Sequence, residues 1–426
     1  MSWLIKPLIQ LLGLLPLATV VFASSNICDI LNYQIPGRVS YSDDLAYTAP
    51  STTAEVSEFV QLVSVNATTK WSLPQFAVRG GGHTLFTGAA NINGSVTVDM
   101  RSMNSLALSD DHKIASVGGG SIFSDFYPRL VPHNLSVMGG RVPGIGVGGF
   151  TTRGGLNFLS REHGFSCDNI YGYEVVLANG SVIYASASSN YDLWLALKGG
   201  SNNFGIVTRF DLATFPQGLM WGGMILFNYT DSIVDHQAQD FSNFMDPTNF
   251  DSAADMAVIL NFEDGSFSIG NFLFYTKPVA NPPVYQPFTS LPSPIFDNLG
   301  FNNVSDDSSG YGKMDAIHWL GLRDCKSNTW FSLNLSRTAQ TPLVRQPARQ
   351  TFSEWPPDHG QCTGGDLAES WTLYIPFKYL NYADKSQDPF SSYGEANKAH
   401  LIAVGKRYDP NELFQKGLPG GFKLFA

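Results

Sequence analysis

The chain has 426 residues, enough for two or three domains. Hydrophobic residues make up 43% and charged residues 15%, which fits a large core and excludes wholesale disorder. A net charge of -10 argues against nucleic acid or an anionic membrane surface as a partner.

The N-terminus reads as a secretory signal over residues 1–23. Lys6 supplies the positive charge, Leu8 to Phe22 the apolar stretch, and Val21-Phe22-Ala23 a cleavage site with small residues at its key positions. A single membrane anchor is the weaker reading, because the run is short and Gly13 and Pro16 interrupt it. No later segment is long and apolar enough to span a bilayer. The expected protein is secreted and extracellular. Asn66, Asn93, Asn134, Asn179, Asn228, Asn303 and Asn334 all head N-x-S/T, which fits a glycoprotein. Cys28, Cys167, Cys325 and Cys362 allow three pairings, among which sequence does not choose, and their spacing fits no metal site.

Residues 24–50 are short and mixed. Thr52 and Glu55 form a capping box, and Val56, Phe59, Val60 and Val63 repeat at helical spacing, which predicts an amphipathic helix over 53–65. Gln75 to Val78 reads as a strand bounded by Pro74. It runs into Arg79-Gly80-Gly81-Gly82-His83-Thr84. Three glycines in a row let the backbone turn sharply and lie close against a ligand, and successive N–H groups in such a turn suit phosphate oxygens. The bland alternative is a glycine-rich surface turn with a solvated histidine. Val96 to Met100 and Lys113 to Val117 read as strands, the second ended by Gly118-Gly119-Gly120. Ser121 is placed to cap a short helix through Phe126, with Pro128 closing it.

A second glycine block spans Gly139 to Gly149. Within it Gly144, Gly146 and Gly149 match G-x-G-x-x-G, and Asp168 follows about 20 residues on, as in a dinucleotide fingerprint. Pro143 sits where a strand should run in, and Thr151 to Gly155 begin a helix poorly, so a Rossmann unit is rejected. Two distant glycine loops point instead to one long ligand along extended backbone. Tyr173 to Leu177 and Val182 to Ala185 flank Asn179-Gly180, a hairpin signal that also argues against a doubly wound sheet. Asn190 is placed to cap a helix ended by Gly199, and Ile206 to Phe210 is the next strand. From about Gly218 the texture changes. Met224 to Asn228, Met256 to Phe262 and Phe272 to Tyr275 suggest a second sheet, followed by proline-rich connections at 278–294. Residues 338–372 show no period.

The ordered set of Arg79 to Thr84, Gly144 to Gly149, Ser160-Arg161-Glu162-His163-Gly164, Asp168-Asn169, Lys198 to Thr208 and Tyr379-Leu380-Asn381-Tyr382-Ala383-Asp384 resembles FAD-linked oxidoreductases like berberine bridge enzyme, in the vanillyl-alcohol oxidase superfamily. The resemblance is strong over 40–215, good over 378–426 and weak between them. It implies an α+β, two-domain, PCMH-type FAD-binding fold with a separate α+β substrate domain. FAD binding falls to 40–215, substrate to 216–377, and the segment 378–426 returns to the FAD-binding domain.

Within that resemblance His83 matches the histidine bonded to the flavin 8α-methyl carbon. The position of a second, cysteinyl link is Val142, which implies a single covalent bond; Cys167 reads as a buried thiol. Backbone groups of residues 80–84 (Gly80, Gly81, Gly82, His83 and Thr84) would hold the pyrophosphate, and Arg79 is a further cofactor-binding candidate. Gly144, Gly146, Gly148 and Gly149 would lie along the ribityl and adenosine. Val207 would meet the adenine and Asn381 the isoalloxazine. The implied reaction oxidises a C–H bond of an alcohol, sugar or secondary metabolite, with hydride passing to the flavin and oxygen as acceptor. Tyr379 and Tyr382 are the candidate bases. The chain departs from the family at 338–372, where strands usually help form the active site, and the usual longer segment at 47–50 is missing. A flavin-binding protein without turnover and a secreted binding protein without cofactor are the rival readings.

Overall fold

The computed structural model describes residues 36–42, 45–69, 75–84, 86–263, 266–306 and 377–425. The expected signal segment, Cys28, Cys325, Cys362, Asn334 and residues 338–372 lie outside the described residues.

The first layer holds β1 (Val39–Ser42), β2 (Leu45–Thr48), α1 (Thr53–Thr69), β3 (Phe76–Arg79) and β4 (Val96–Asp99), with sheet order β1-β2-β4-β3. Both β2 and β3 run parallel to β4, and α1 makes the crossover that parallel strands require. The capping box forms: the Glu55 amide donates to the Thr52 hydroxyl at 3.2 Å, and the Thr52 amide to the Glu55 carboxylate at 3.2 Å. The helix outruns the expected 53–65 because no glycine or proline stops it before Pro74. Val56, Phe59, Val60 and Val63 are buried against Phe76, Val96 and Val98, as their spacing predicts.

The second layer holds β5 (Leu106–Leu108), β6 (Ile114–Gly118), α2 (Phe123–Leu130), β7 (Leu135–Val137), α3 (Val147–Thr151), α4 (Ser160–His163), β8 (Ile170–Val176), β9 (Val182–Ser186), α5 (Tyr191–Ala196) and β10 (Ile206–Pro216). Its sheet runs β5-β6-β10-β8-β9, with β7 also on β10, and every pair is antiparallel. This removes the Rossmann alternative. The Asn179-Gly180 turn joins β8 to β9, with Gly180 at φ +79. Glu174 on β8 ties the two layers together, accepting from Thr53 at 2.7 Å and from Thr208 at 2.8 Å.

Three local expectations are corrected. Helix α2 continues to Leu130 with Pro128 inside it, because Phe123, Phe126, Tyr127 and Leu130 are all buried and their packing overrides the local breaker. Ser121 does not cap it. The Phe123 amide instead donates to the Ile145 carbonyl at 3.0 Å, and the Val147 amide to the Ser121 carbonyl at 2.9 Å. The second glycine block thus closes the start of α2. Asn190 precedes α5 in the left-handed region without capping it; its amide donates to the Tyr184 carbonyl.

The third layer holds β11 (Met220–Asn228), α6 (Asp231–Met245), β12 (Ala254–Glu263), β13 (Ser266–Tyr275), α7 (Gln286–Thr289), β14 (Phe296–Asp297) and β15 (Gly300–Asn302). The order is β12-β13-β11, with β14 and β15 both on β11. Ile225, Met256, Ile269 and Leu273 face Phe241, Phe244 and Phe288 on one side. The alternate residue Phe274 points the other way, onto Phe158 of the second layer, with ring centroids 4.1 Å apart. The tail then returns through α8 (Glu395–Tyr408) to the second layer, and Leu413, Phe414 and Leu418 enter the first. Among the described residues no helix is long and apolar enough to cross a membrane.

Candidate active site

The two glycine blocks, more than sixty positions apart in sequence, touch through bare backbone. A Cβ built on Gly81 would lie 2.4 Å from the Gly144 carbonyl oxygen and 2.4 Å from the Gly146 nitrogen. A Cβ on Gly146 would lie 2.3 Å from the Gly81 nitrogen. No side chain fits either position without moving the main chain. A third run joins them. The Gly119 amide donates to the Thr208 carbonyl at 2.8 Å, and a Cβ on Gly119 would meet the Val207 carbonyl oxygen at 2.3 Å. Gly80 and Gly148 face the Gly119 carbonyl oxygen from either side. Val207 itself sits at a bulge in the pairing of β10 with β8. The result is a seam between the first and second layers, walled by main chain from four distant stretches. Gly119 escaped the sequence reading, although Gly118-Gly119-Gly120 was its visible signal.

Arg79 folds back under this loop, with Gly82 at φ +74 against its guanidinium. His83 follows, exposed, and Thr84 is half-buried. Gly144 is half-buried and Gly149 exposed. These features suit a dinucleotide cofactor. The bare main chain of the Gly80 to Gly82 turn carries N–H groups of the kind that suit phosphate oxygens, and the exposed His83 imidazole follows directly.

The C-terminal segment docks beside the seam. The Tyr379 hydroxyl accepts from the Leu156 amide at 2.9 Å and from the Asn381 side-chain amide at 2.9 Å. The same Asn381 group donates to the Phe150 carbonyl at 3.2 Å. The Tyr379 ring lies over Gly154, whose φ of +103 brings its backbone close. Burial, and then the neighbouring Tyr382, push the Tyr379 hydroxyl well above its ordinary range. Tyr382 is 58% exposed, edge-on to Tyr379 at 4.9 Å, and its hydroxyl accepts from Arg141 at 3.0 Å. The two candidate bases are thus brought together in different states: one enclosed with its oxygen already accepting two bonds, the other open.

Two further residues were missed. Arg141 lies inside the second glycine block and reaches across to Asp255 on β12 at 3.5 Å. Asp255 is fully buried, a lone carboxylate in the apolar run Ala253 to Leu260, and that isolation was its only sequence signal. Val142 follows Arg141 and carries no thiol. Cys167 is buried and free, its thiol pushed far up by burial.

Residues 45–186 match the FAD binding domain family. The FAD-dependent monooxygenase tpcD of Cochliobolus heterostrophus is 31% identical over 416 residues, covering 82% of this chain and 80% of that protein. The FAD-dependent monooxygenase CTB5 of Cercospora nicotianae is 32% identical over 440 residues, covering 88% and 95%. The chain belongs to the FAD-dependent oxidoreductases that carry this FAD binding domain. Two solved structures share the fold of this FAD-dependent oxidoreductase. Glucooligosaccharide oxidase from Acremonium strictum superposes with a TM-score of 0.68 at 17% identity, covering 94% of this chain and 100% of that one. BBE-like 1 of Physcomitrella patens gives 0.67 at 21%, covering 92% and 98%. The α+β, PCMH-type fold expected from the motifs is the observed one.

Proposed function

We propose that this FAD-dependent oxidoreductase is a secreted oxidase that removes hydride from a C–H bond of an alcohol, sugar or secondary metabolite, with oxygen as the final acceptor. The observation that carries the reading is the glycine seam with an open tyrosine, Tyr382, held over one of its loops. Residues 40–215 and 378–426 bind the cofactor, and the sheet within 216–377 covers the substrate.

Bound FAD supplies a two-electron acceptor for the substrate hydrogen. The chain's residues do the rest. Main-chain groups of residues 80–84 would hold the pyrophosphate, with Arg79 beside them, and Gly144 to Gly149 would line the ribityl and adenosine region. Val207 would meet the adenine and Asn381 the ring system. His83 would make the single covalent link, since Val142 offers no second nucleophile. Tyr382 receives the substrate hydroxyl proton. Tyr379 is structural, because its oxygen already accepts two hydrogen bonds that hold the chain. Secretion is supported by the N-terminal segment and by exposed sequon asparagines at 93, 134, 179 and 228.

The relatives are named monooxygenases, and this sets the test. Turnover of a screened alcohol panel under labelled oxygen separates the two chemistries. An oxidase releases one peroxide per product and leaves the label out of the product. Label in the product, with a demand for added reductant, overturns the oxidase reading. Flavin that no member of the panel reduces points to the silent flavoprotein.

A further inference from the structure

We propose that Arg141 is a positioning residue that holds the Tyr382 oxygen and stabilises negative charge on it, with Asp255 fixing Arg141 in turn. The proposal rests on the reading in which Tyr382 takes the substrate proton.

The Arg141 backbone is set before its side chain acts. The preceding carbonyls are both engaged: Gly139 accepts from Asn157 at 2.5 Å, and Gly140 from Tyr127 at 3.1 Å. From there the guanidinium spans two elements from elsewhere in the chain. One nitrogen faces Asp255 on the third sheet at 3.5 Å, and the other donates to Tyr382 of the C-terminal segment at 3.0 Å. The planar, forked head of arginine suits this double duty, which a lysine point charge performs less well. Its side chain is 15% exposed and that of Asp255 is fully buried, so the pair lies where solvent screens charge weakly.

The charge balance then decides what Tyr382 feels. Asp255 is approached by a second guanidinium, that of Arg161, which donates to the neighbouring Ala254 carbonyl at 3.2 Å and interacts electrostatically with Asp255. Asp251 also acts on Arg161, so two arginines face two carboxylates, and the group of this cluster that reaches the phenol is the Arg141 guanidinium. Tyr379 lies edge-on to the Tyr382 ring. A charge-assisted N–H bond favours an anionic oxygen over a neutral one. In the step that follows, Tyr382 acts as the tyrosinate, its own proton already released to solvent: the substrate O–H bond breaks and the Tyr382 O–H bond forms.

Tetranitromethane, which nitrates tyrosinate, tests this without a substrate. The flavin-loaded protein is treated, and nitration of the Tyr382 peptide is followed by mass spectrometry, with Tyr382→Phe as the blank. Arg141→Gln should slow nitration of Tyr382 on the order of tenfold, the effect of losing one hydrogen bond to a charged group. Arg141→Lys should recover part of the loss, and Asp255→Asn, which unfastens Arg141, should slow nitration by less than Arg141→Gln does. A clamp that merely holds structure predicts the reverse, because freeing the ring leaves nitration equal or faster; that result overturns the proposal. If Arg141→Gln fails to fold with its buried carboxylate uncompensated, the double variant with Asp255→Asn carries the same comparison. Substrate turnover by Tyr382→Phe is a separate readout. Wild-type turnover there removes the base assignment, while unchanged nitration in Arg141→Gln removes only the role of Arg141.

Discussion

Gly81 and Gly146 show most sharply how side-chain absence makes a site. Each occupies space that the other's Cβ would need, at 2.3 to 2.4 Å from backbone. Neither sits in the left-handed region, so conformational freedom is not their reason. Gly81→Ala should therefore separate the two loops, cost about 1–3 kcal/mol as overpacking does, and yield protein with little bound flavin. Gly218→Ala, with open space around it, should leave both stability and flavin content within error. Melting temperature and flavin absorbance per mole of protein check the pair; equal flavin in both variants would remove the seam from the cofactor site. The glycine blocks were legible as sharp, bare-backbone turns because consecutive glycines lack a Cβ. Their mutual contact was not legible, since nothing in either block encodes the other's position. Arg141 and Asp255 were hidden for the same reason: their pairing is a tertiary fact between a loop and a distant strand.

The C-terminal segment is the element that completes the site. Tyr379 fastens it by accepting from Leu156 and Asn381. Tyr379→Phe should strand those donors, lower stability by about 1–3 kcal/mol and leave residual turnover far above that of Tyr382→Phe. Equal kinetic losses in both variants would contradict the division of roles. Farther along, Lys423 donates to Asn202 at 3.2 Å and to the Phe414 carbonyl at 3.0 Å. Burial, and then Arg153 beside it, push its ammonium down to about 7, with Asp409 pulling the other way. In the unfolded chain a lysine titrates near pH 10. Between about 7 and 10 the unfolded state thus binds a proton that the folded state does not, and stability contributed by this group rises with pH through that window. Below about 7 the penalty is full. The melting temperature of Lys423→Met relative to wild type should accordingly be most favourable near neutral pH and decline toward about pH 10. A difference that does not change with pH would place the lysine in solvent. At this scale the sequence was readable where a local rule governs. The Thr52–Glu55 box and the Asn179-Gly180 hairpin formed as read. Pro128 did not end its helix, because four buried aromatic and aliphatic contacts outweigh one lost hydrogen bond.

Three sheets are seen among the described residues, and specific side chains join them. Glu174 joins the first to the second, and Arg161 joins the second to the third. The Arg161 guanidinium lies over the rings of Phe244 at 4.4 Å and Phe250 at 4.6 Å while bonding the Ala254 carbonyl. Arg161→Ala should loosen the third sheet by about 2–4 kcal/mol and split the calorimetric transition, with the third layer melting first. A single transition at the wild-type temperature would show that the apolar Phe158–Phe274 contact suffices. The change of texture near Gly218 made a second sheet legible, since alternating apolar strands declare themselves. Which face it turns toward the seam followed only from the burial of Asp255 and Phe274. The central claim is that the seam holds FAD and that His83 bonds to it. Its most direct measurement is the absorption spectrum of the purified protein before and after acid precipitation, beside His83→Ala. Yellow colour that stays in the wild-type pellet and leaves with the supernatant in His83→Ala is the expected result. Colour released from both would contradict the covalent link, and a colourless wild type would contradict the cofactor site itself.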